Sequence, residues 1–365
     1  TTFKIEKEKK ISEQKHTGKA SLTITEKAIE LENKYVKVTI DETGIISSIY
    51  DKEKEFEMVK YANKLLLWED LPTNWEAWDI NHYYKETKPE QAQRGSIKLL
   101  CDNGHKVSIE QKLTIGNSTI VQTITLESNT KEIRIDNDVE WNEEKKFLKV
   151  VADTNIHSAT ATYEIQFGNI KRPTHFNTSW DAARFEVPAQ RYADLSQPDI
   201  GIAILNDCKY GHIINGTNIE LSLLRSPKSP DETADIGDHE FTFSYYPHDG
   251  DLEHSDVLKK AHELNDPSIV IPLKKFPKVK EISSFQLDAN SVKLDTAKRS
   301  ENGKGIVIRL YETMGMNDNI TLNFNKKYDV TETNLIEEKI KDLKKKCNSI
   351  ELKFTPYEIK TLYLG

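Results

Sequence analysis

Apolar residues recur at every second position through most of this chain, and that period admits few folds. Val36, Val38 and Ile40 alternate with Lys37 and Thr39; Asp41–Gly44 then supplies a turn and IISSIY resumes the pattern. Alternate side chains on one face are the mark of a strand with one buried side. KVSIEQKLTI and STIVQTITLE flank Gly116-Asn117, the two-residue signal of a type II′ hairpin. EIRIDNDVEW, KFLKVVAD, ATYEIQF, DIGIAIL, NIELSLL and HEFTFSYY follow at short intervals. Strands in this number, parted by Gly, Asn, Asp and Pro, predict an all-β chain of antiparallel sheets stacked as sandwiches. One segment carries the helical period instead. Over Ser255–Leu264, Val257, Leu258, Ala261 and Leu264 share a face, Ser255 is placed to cap, and Pro267 lies just beyond. Thr331–Lys346 is ambiguous, because Leu335, Ile336, Ile340 and Leu343 suit a helix although strands surround them.

At 365 residues the chain exceeds one ordinary core, so two domains are expected. PSIVIPLKKFPKVKE, with three prolines and a lysine cluster, places a boundary near 267–281. A new strand series follows it: SVKLDTAK, GIVIRLYET, NITLNF, SIELKFTP and EIKTLYLG. The expected division is a linker-like segment over 1–30, where TTFKIEKEKKISEQKHTGKA lacks sustained periodicity, a large β-domain over 31–281 and a small one over 282–365. The first residue is threonine, in a charged stretch, so a piece of a longer protein is expected.

A net charge of −8 argues against a nucleic-acid partner. The basic runs Lys4–Lys10, Lys274–Lys280 and Lys341–Lys346 are broken by acidic or apolar residues and read as solvated faces. Cys101, Cys208 and Cys347 are odd in number and include no CxxC, which suits a reducing, cytoplasmic compartment and neither disulfides nor a zinc ribbon. No apolar run approaches the roughly 18 residues of a membrane span, so no membrane partner is expected.

Chemistry concentrates in NWEAWDINHYY, residues 74–84. Asn74, Trp75, Trp78, Asp79 and Tyr83 set flat apolar faces beside hydrogen-bonding groups. That combination suits a carbohydrate surface, and equally a core whose polar tips are satisfied locally. TSWDAARFEVPAQRYADLS (178–196) repeats the theme as Trp180-Asp181, with Arg184, Arg191 and Tyr192 nearby and Asp181 expected to pair with Arg184. NDCKYG (206–211) ends a strand in a polar turn that carries Lys209 and Tyr210. Asp79, Asp181 and Asp207 are candidate acids, but a glycosidase needs two carboxyl groups about 5–9.5 Å apart, a distance no sequence displays. HDGDLEHSD (248–256) ends in the chain's only His-x-Asp, His254-Ser255-Asp256, read as a solvated turn before the helix rather than a metal site. PDETADIGDHE lacks the order of a calcium loop, and neither a Gly-x-Ser-x-Gly nor a phosphate loop occurs.

LENKYVKVTIDETGIISSIYDKEKEFE resembles the opening of the β-domain of the family 38 glycoside hydrolases, the α-mannosidases. LLLWEDLPTNWEAWDINHYY looks like the segment that follows it in the bacterial and archaeal branch. EIQFGNIKRPTHFNTSWDAARFEVPAQRYADLS, GIAILNDCKYG and LSLLRSPKSPDETADIGDHEFTFSYYPHDGD are similar to the family's later pattern, and PYEIKTLYLG to its end. The resemblance covers about 30–365. It implies a galactose-mutarotase-like supersandwich followed by a small C-terminal β-sandwich. It also implies that the nucleophilic aspartate and the zinc ligands lie in an N-terminal catalytic domain outside these residues. His254-Ser255-Asp256 falls inside the β-region match, so by that resemblance it is not the zinc motif. No catalytic residue or cofactor is expected in this chain, with zinc expected in the full-length enzyme. The expected partners are the catalytic domain of the same polypeptide, mannosides or oligosaccharides, and a second copy in a homodimer. Trp75, Trp78, Asp79, Tyr83, Lys209 and Tyr210 are the expected contributors to the rim of the sugar site, and packing between domains is the stronger expectation for Trp75 and Trp78. A free-standing carbohydrate-binding module is the alternative.

Overall fold

The computed structural model describes residues 19–25, 28–272, 283–289 and 291–365. They divide into two compact units. The larger holds the described residues up to Glu164 together with Ile170–Ser268; the smaller holds Ile165–Asn169 and the described residues from Ile269 to Gly365. No helix among the described residues is long and apolar enough to cross a membrane.

Two sheets build the larger unit. The first, of eleven strands, runs Ser21–Ile24, Ala28–Glu32, Val36–Asp41, Ile46–Asp51, Val59–Glu69, Lys146–Thr154, Asn218–Arg225, Gly211–Asn215 and Val187–Pro188, with two short strands paired at its flank. The second, of nine, runs Gly168–Pro173, Thr160–Ile165, Tyr192–Ser196, Ile200–Asn206, Gly237–Asp249, Ile133–Trp141, Ser118–Glu127, Lys106–Ile115 and Gln93–Asp102. The period-two residues meet between them: Val36, Val38, Ile40, Leu148 and Val150 from one sheet join Ile109, Ile120, Ile135 and Ile202 from the other in a single buried cluster. Inside that apolar layer lies an amide chain. The Asn63 amide donates to Gln122 Oε1 at 2.8 Å, Gln111 donates to the same oxygen at 2.9 Å, and Gln122 donates to Asn137 Oδ1 at 2.9 Å. These bonds link strands of both sheets through buried amides and help to fix their register, although Gln111 Oε1 is left buried without a hydrogen-bond partner.

The hairpin at Gly116-Asn117 forms as expected: Ile115 pairs with Ser118, and Gly116 takes a φ of 54°. The helix spans Val257–Asn265, starting two residues later than expected. Asp256 occupies the cap position without capping, its carboxylate instead accepting a hydrogen bond from the Tyr246 hydroxyl; the Ser255 hydroxyl accepts from Val257 N at 3.3 Å. Part of the segment read as linker-like is sheet, since Ser21–Ile24 pairs antiparallel with Ala28–Glu32. Four alternating residues are too few to stand out as a period; residues 1–18 lie outside the description.

In the smaller unit, Phe285–Asp288, Asp318–Thr333, Ile359–Leu364, Ile306–Glu312 and Val292–Arg299 follow one another in a sheet, with Lys339–Phe354 paired to Asp318–Thr333. Ile308, Leu310, Ile320, Leu322, Leu352, Phe354 and Leu362 form its core. The ambiguous Thr331–Lys346 is the end of a long hairpin, with Leu335 and Ile336 exposed at its turn.

Candidate functional site

Alternation gives the first sheet a second face, and on it the aromatic segment is built. Leu65, Leu67, Leu148 and Val150 point into the sandwich, so Leu66, Trp68, Phe147 and Val151 point out. Their neighbours there are Tyr84, Ile80 and Phe185, which close a small satellite cluster. Both tryptophan–aspartate segments therefore converge on one face: His82 of the first lies 6.1 Å from Phe185 of the second, ring centre to ring centre.

A buried cation pins them. Lys149, between Phe147 and Val151 on the outward face, has a side chain with no exposure and pairs with Glu186 and, at 2.8 Å, with Glu220. The Tyr84 hydroxyl donates to Glu186 Oε1 at 2.9 Å, and Lys85 reaches Glu220 at 2.6 Å. Burial opposes the Lys149 charge, but the two carboxylates outweigh it and hold its pKa above the ordinary lysine value. Burial, with Glu186 and Glu220, pushes the Tyr84 phenol far above its usual range.

Beyond this anchor the turn carries its indoles outward. Trp75 and Trp78 are 70% and 69% exposed, meeting edge to face with centroids 6.0 Å apart. The Trp75 carbonyl accepts from Trp78 N at 2.8 Å and Asp79 N at 3.0 Å, and Trp75 itself sits at a φ of 61°. Left-handed backbone is an outlier for so bulky a residue. Arg225, at the end of a first-sheet strand, holds the turn in place: Nε donates to Asp70 Oδ2 at 2.7 Å, and Nη2 to the carbonyls of Glu76 at 3.0 Å and Asp79 at 2.8 Å. Glu76 accepts from Lys228 N at 2.9 Å and pairs with Lys145 at 3.2 Å, bonds that lower its pKa. Burial pushes the Asp70 carboxyl up, with Arg225 pulling the other way.

The other expected site residues are placed as follows. The Asp79 carboxylate is exposed and accepts from Ile80 N at 2.9 Å; the Tyr83 hydroxyl bonds Thr73 and Asn81. Tyr210 is 63% exposed, while Lys209 lies with its ammonium 4.6 Å from the Phe241 ring centre, its pKa lowered by burial. No hydrogen bond, ion pair or ring contact among the described residues joins Lys209 or Tyr210 to Trp75, Trp78, Asp79 or Tyr83. Asp181 does not pair with the Arg184 side chain; it closes a capping box with Thr178, because a carboxylate three residues into a helical turn reaches the cap more directly. Trp180 beside it is 76% exposed. Asp207 accepts from Thr242 N at 3.0 Å across the second sheet.

For zinc, the residues do not fit. His254 Nδ1 lies 2.6 Å from Asp251 Oδ1, Asp256 is engaged by Tyr246, and no group of three or more His, Cys, Asp or Glu among the described residues could hold a metal ion. Sequence reasoning missed Arg225, Glu76, Lys149, Glu186 and Glu220. The only local signal for Arg225 was a charge closing the apolar run LSLL, and its Asp70 partner lies 155 residues away.

The two β-units match two domains of one glycoside hydrolase family. The "Glycosyl hydrolases family 38 C-terminal domain" matches residues 31–233, and the "Glycosyl hydrolases family 38 C-terminal beta sandwich domain" matches 291–362. The chain belongs to glycosyl hydrolase family 38. It is 36% identical over 353 residues to "Alpha-mannosidase 2C1" of Homo sapiens, covering 93% of this chain and 34% of that protein. With "Alpha-mannosidase G" of Dictyostelium discoideum it shares 38% identity over 352 residues, covering 91% and 32%. It thus spans about a third of the curated relatives it matches. The solved α-mannosidase of Enterococcus faecalis V583 has the same fold, with a TM-score of 0.77 at 15% identity, covering 92% of this chain and 42% of that one.

Proposed function

We propose that this chain is the non-catalytic C-terminal β-region of a retaining exo-α-mannosidase, and that its aromatic face seats against the catalytic part of the same polypeptide beside the sugar site. The observation that carries the reading is the Trp75–Trp78 pair, held on a clamped turn yet about 70% exposed. Two indoles left in water represent a large apolar area, and such a patch on one unit of a multidomain enzyme marks a lost neighbour. The relatives' length supplies that neighbour, since roughly two thirds of each lies outside the matched region. In the assembled enzyme the catalytic part would supply the zinc chemistry. The residues of this chain would brace that part, exclude water at the join, and offer Trp75, Trp78, Asp79 and Tyr83 to the rim. Lys209 and Tyr210 belong to the rim in this reading too, as a separate contribution from their own turn.

The test is to express the longest open reading frame containing these residues beside this chain alone, and to assay both on an aryl α-mannoside. Hydrolysis by the longer polypeptide only is expected, with Trp78→Ala lowering its activity more than its stability. A frame that opens at Thr1 would sink the reading and favour a free-standing carbohydrate-binding module.

A further inference from the structure

The strand end that runs Arg225-Ser226-Pro227-Lys228 has a part in this face that its sequence does not announce. Two of its residues, Arg225 and Lys228, reach the turn 70–79. Arg225 bonds the Asp70 carboxylate and the carbonyls of Glu76 and Asp79, while the backbone N–H of Lys228 bonds the Glu76 carboxylate. Ser226 is bonded on three sides, to Trp141 Nε1, Lys145 N and Lys146 O, so the strand end is itself rigid. Asp70 and Arg225 have side chains 3% and 17% exposed, which places their pair out of reach of most solvent competition.

Without that restraint two forces would rearrange the turn. Trp75 would leave its left-handed backbone for an allowed region, and the indoles would fold down to cover apolar surface. Neither has happened, so something holds the turn against both, and the Arg225 fork reaches both sides of Trp78 at once. We propose that Arg225 is the positioning residue of the aromatic face: it sets the turn with both indoles raised, and so preforms the surface that receives the rest of the polypeptide. The last clause rests on the function proposed above; the clamp itself does not. Preforming the surface removes the ordering cost that docking would otherwise carry.

The experiment uses this chain with Trp180→Phe, so that Trp75 and Trp78 are its only exposed indoles, Trp68 and Trp141 being buried. An edge-to-face indole pair gives an exciton couplet in far-ultraviolet circular dichroism, and acrylamide quenching reports indole exposure. Arg225→Met is expected to abolish the couplet and to change the quenching, while the thermal midpoint of the sandwich stays near its starting value. Arg225→Lys should not restore the couplet, because one ammonium does not span Asp70 Oδ2 and both carbonyls. Asp70→Asn with Arg225→Met avoids leaving a buried carboxylate unpaired, and carries the measurement if the single variant unfolds. An unchanged couplet in Arg225→Met, its recovery in Arg225→Lys, or unfolding of both Met variants overturns the proposal. Loss of the couplet in a longer polypeptide that keeps full activity would leave the clamp standing and remove the face from the proposed function.

Discussion

His248 meets a carboxylate in a place that water scarcely reaches. Its Nε2 lies 2.7 Å from Asp194 Oδ1, with side chains 1% and 0% exposed, and Ser196 donates to the other Asp194 oxygen at 2.7 Å. Burial opposes protonation, but the charge and hydrogen bond of Asp194 outweigh it, helped by the Asp249 carbonyl and by Asp256, so the folded pKa is raised. A raised folded value means that the folded state binds the proton more tightly than the unfolded chain. The stabilisation is therefore complete below the unfolded value of about 6.5 and is lost as pH rises through the folded value. Urea unfolding across neutral to alkaline pH should show stability falling, and His248→Gln should flatten that slope. Trp78 makes the contrasting case. At 69% exposure, Trp78→Ala should change the unfolding free energy by no more than about 0.5 kcal/mol in this chain, read by the same titration. The sequence of NWEAWDINHYY left open whether Trp78 was core or surface. Composition alone could not decide, because the deciding bonds come from Arg225, far along the chain.

At the scale of elements, Lys149 ties two loops to one strand, and its removal exposes what burial costs. Lys149→Met would leave Glu186 and Glu220 facing each other in a site where their side chains are each 11% exposed. A loss of about 3–5 kcal/mol is expected for breaking such a buried pair. Adding Glu186→Gln and Glu220→Gln should recover much of it; a single variant as stable as the parent in denaturant unfolding would contradict this. Strands were legible wherever one face is buried, as in Val36–Asp41 and the hairpin at Gly116, because the period of two writes burial directly into local sequence. Lys149 was not legible, being an ordinary polar residue on the outward face of KFLKVV until two distant loops cover it. For Thr331–Lys346 the local pattern suited a helix while the surrounding strands argued against one. Pairing of Thr331 with Asp342 and of Val330 with Lys344 decided for a hairpin, a tertiary choice that propensity does not encode.

At the scale of the whole molecule, three carboxylates weighed as acids or as part of the His-x-Asp are engaged in structure. Asp181 caps a turn, Asp207 bridges strands and Asp256 holds Tyr246. The purified chain is accordingly expected to leave an aryl α-mannoside intact with or without added zinc, and zinc-dependent turnover by these 365 residues alone would show that a nucleophile had been overlooked. The strand order carries a different kind of consequence. Gly237–Asp249 lies in the middle of the nine-stranded sheet, between Ile200–Asn206 and Ile133–Trp141, although it is the last of those strands in sequence. During synthesis from the N-terminus, two part-sheets therefore wait with bare hydrogen-bonding edges until this strand leaves the ribosome. Until it arrives, those edges stay open to pairing with other chains, the exposure that favours misassembly during synthesis.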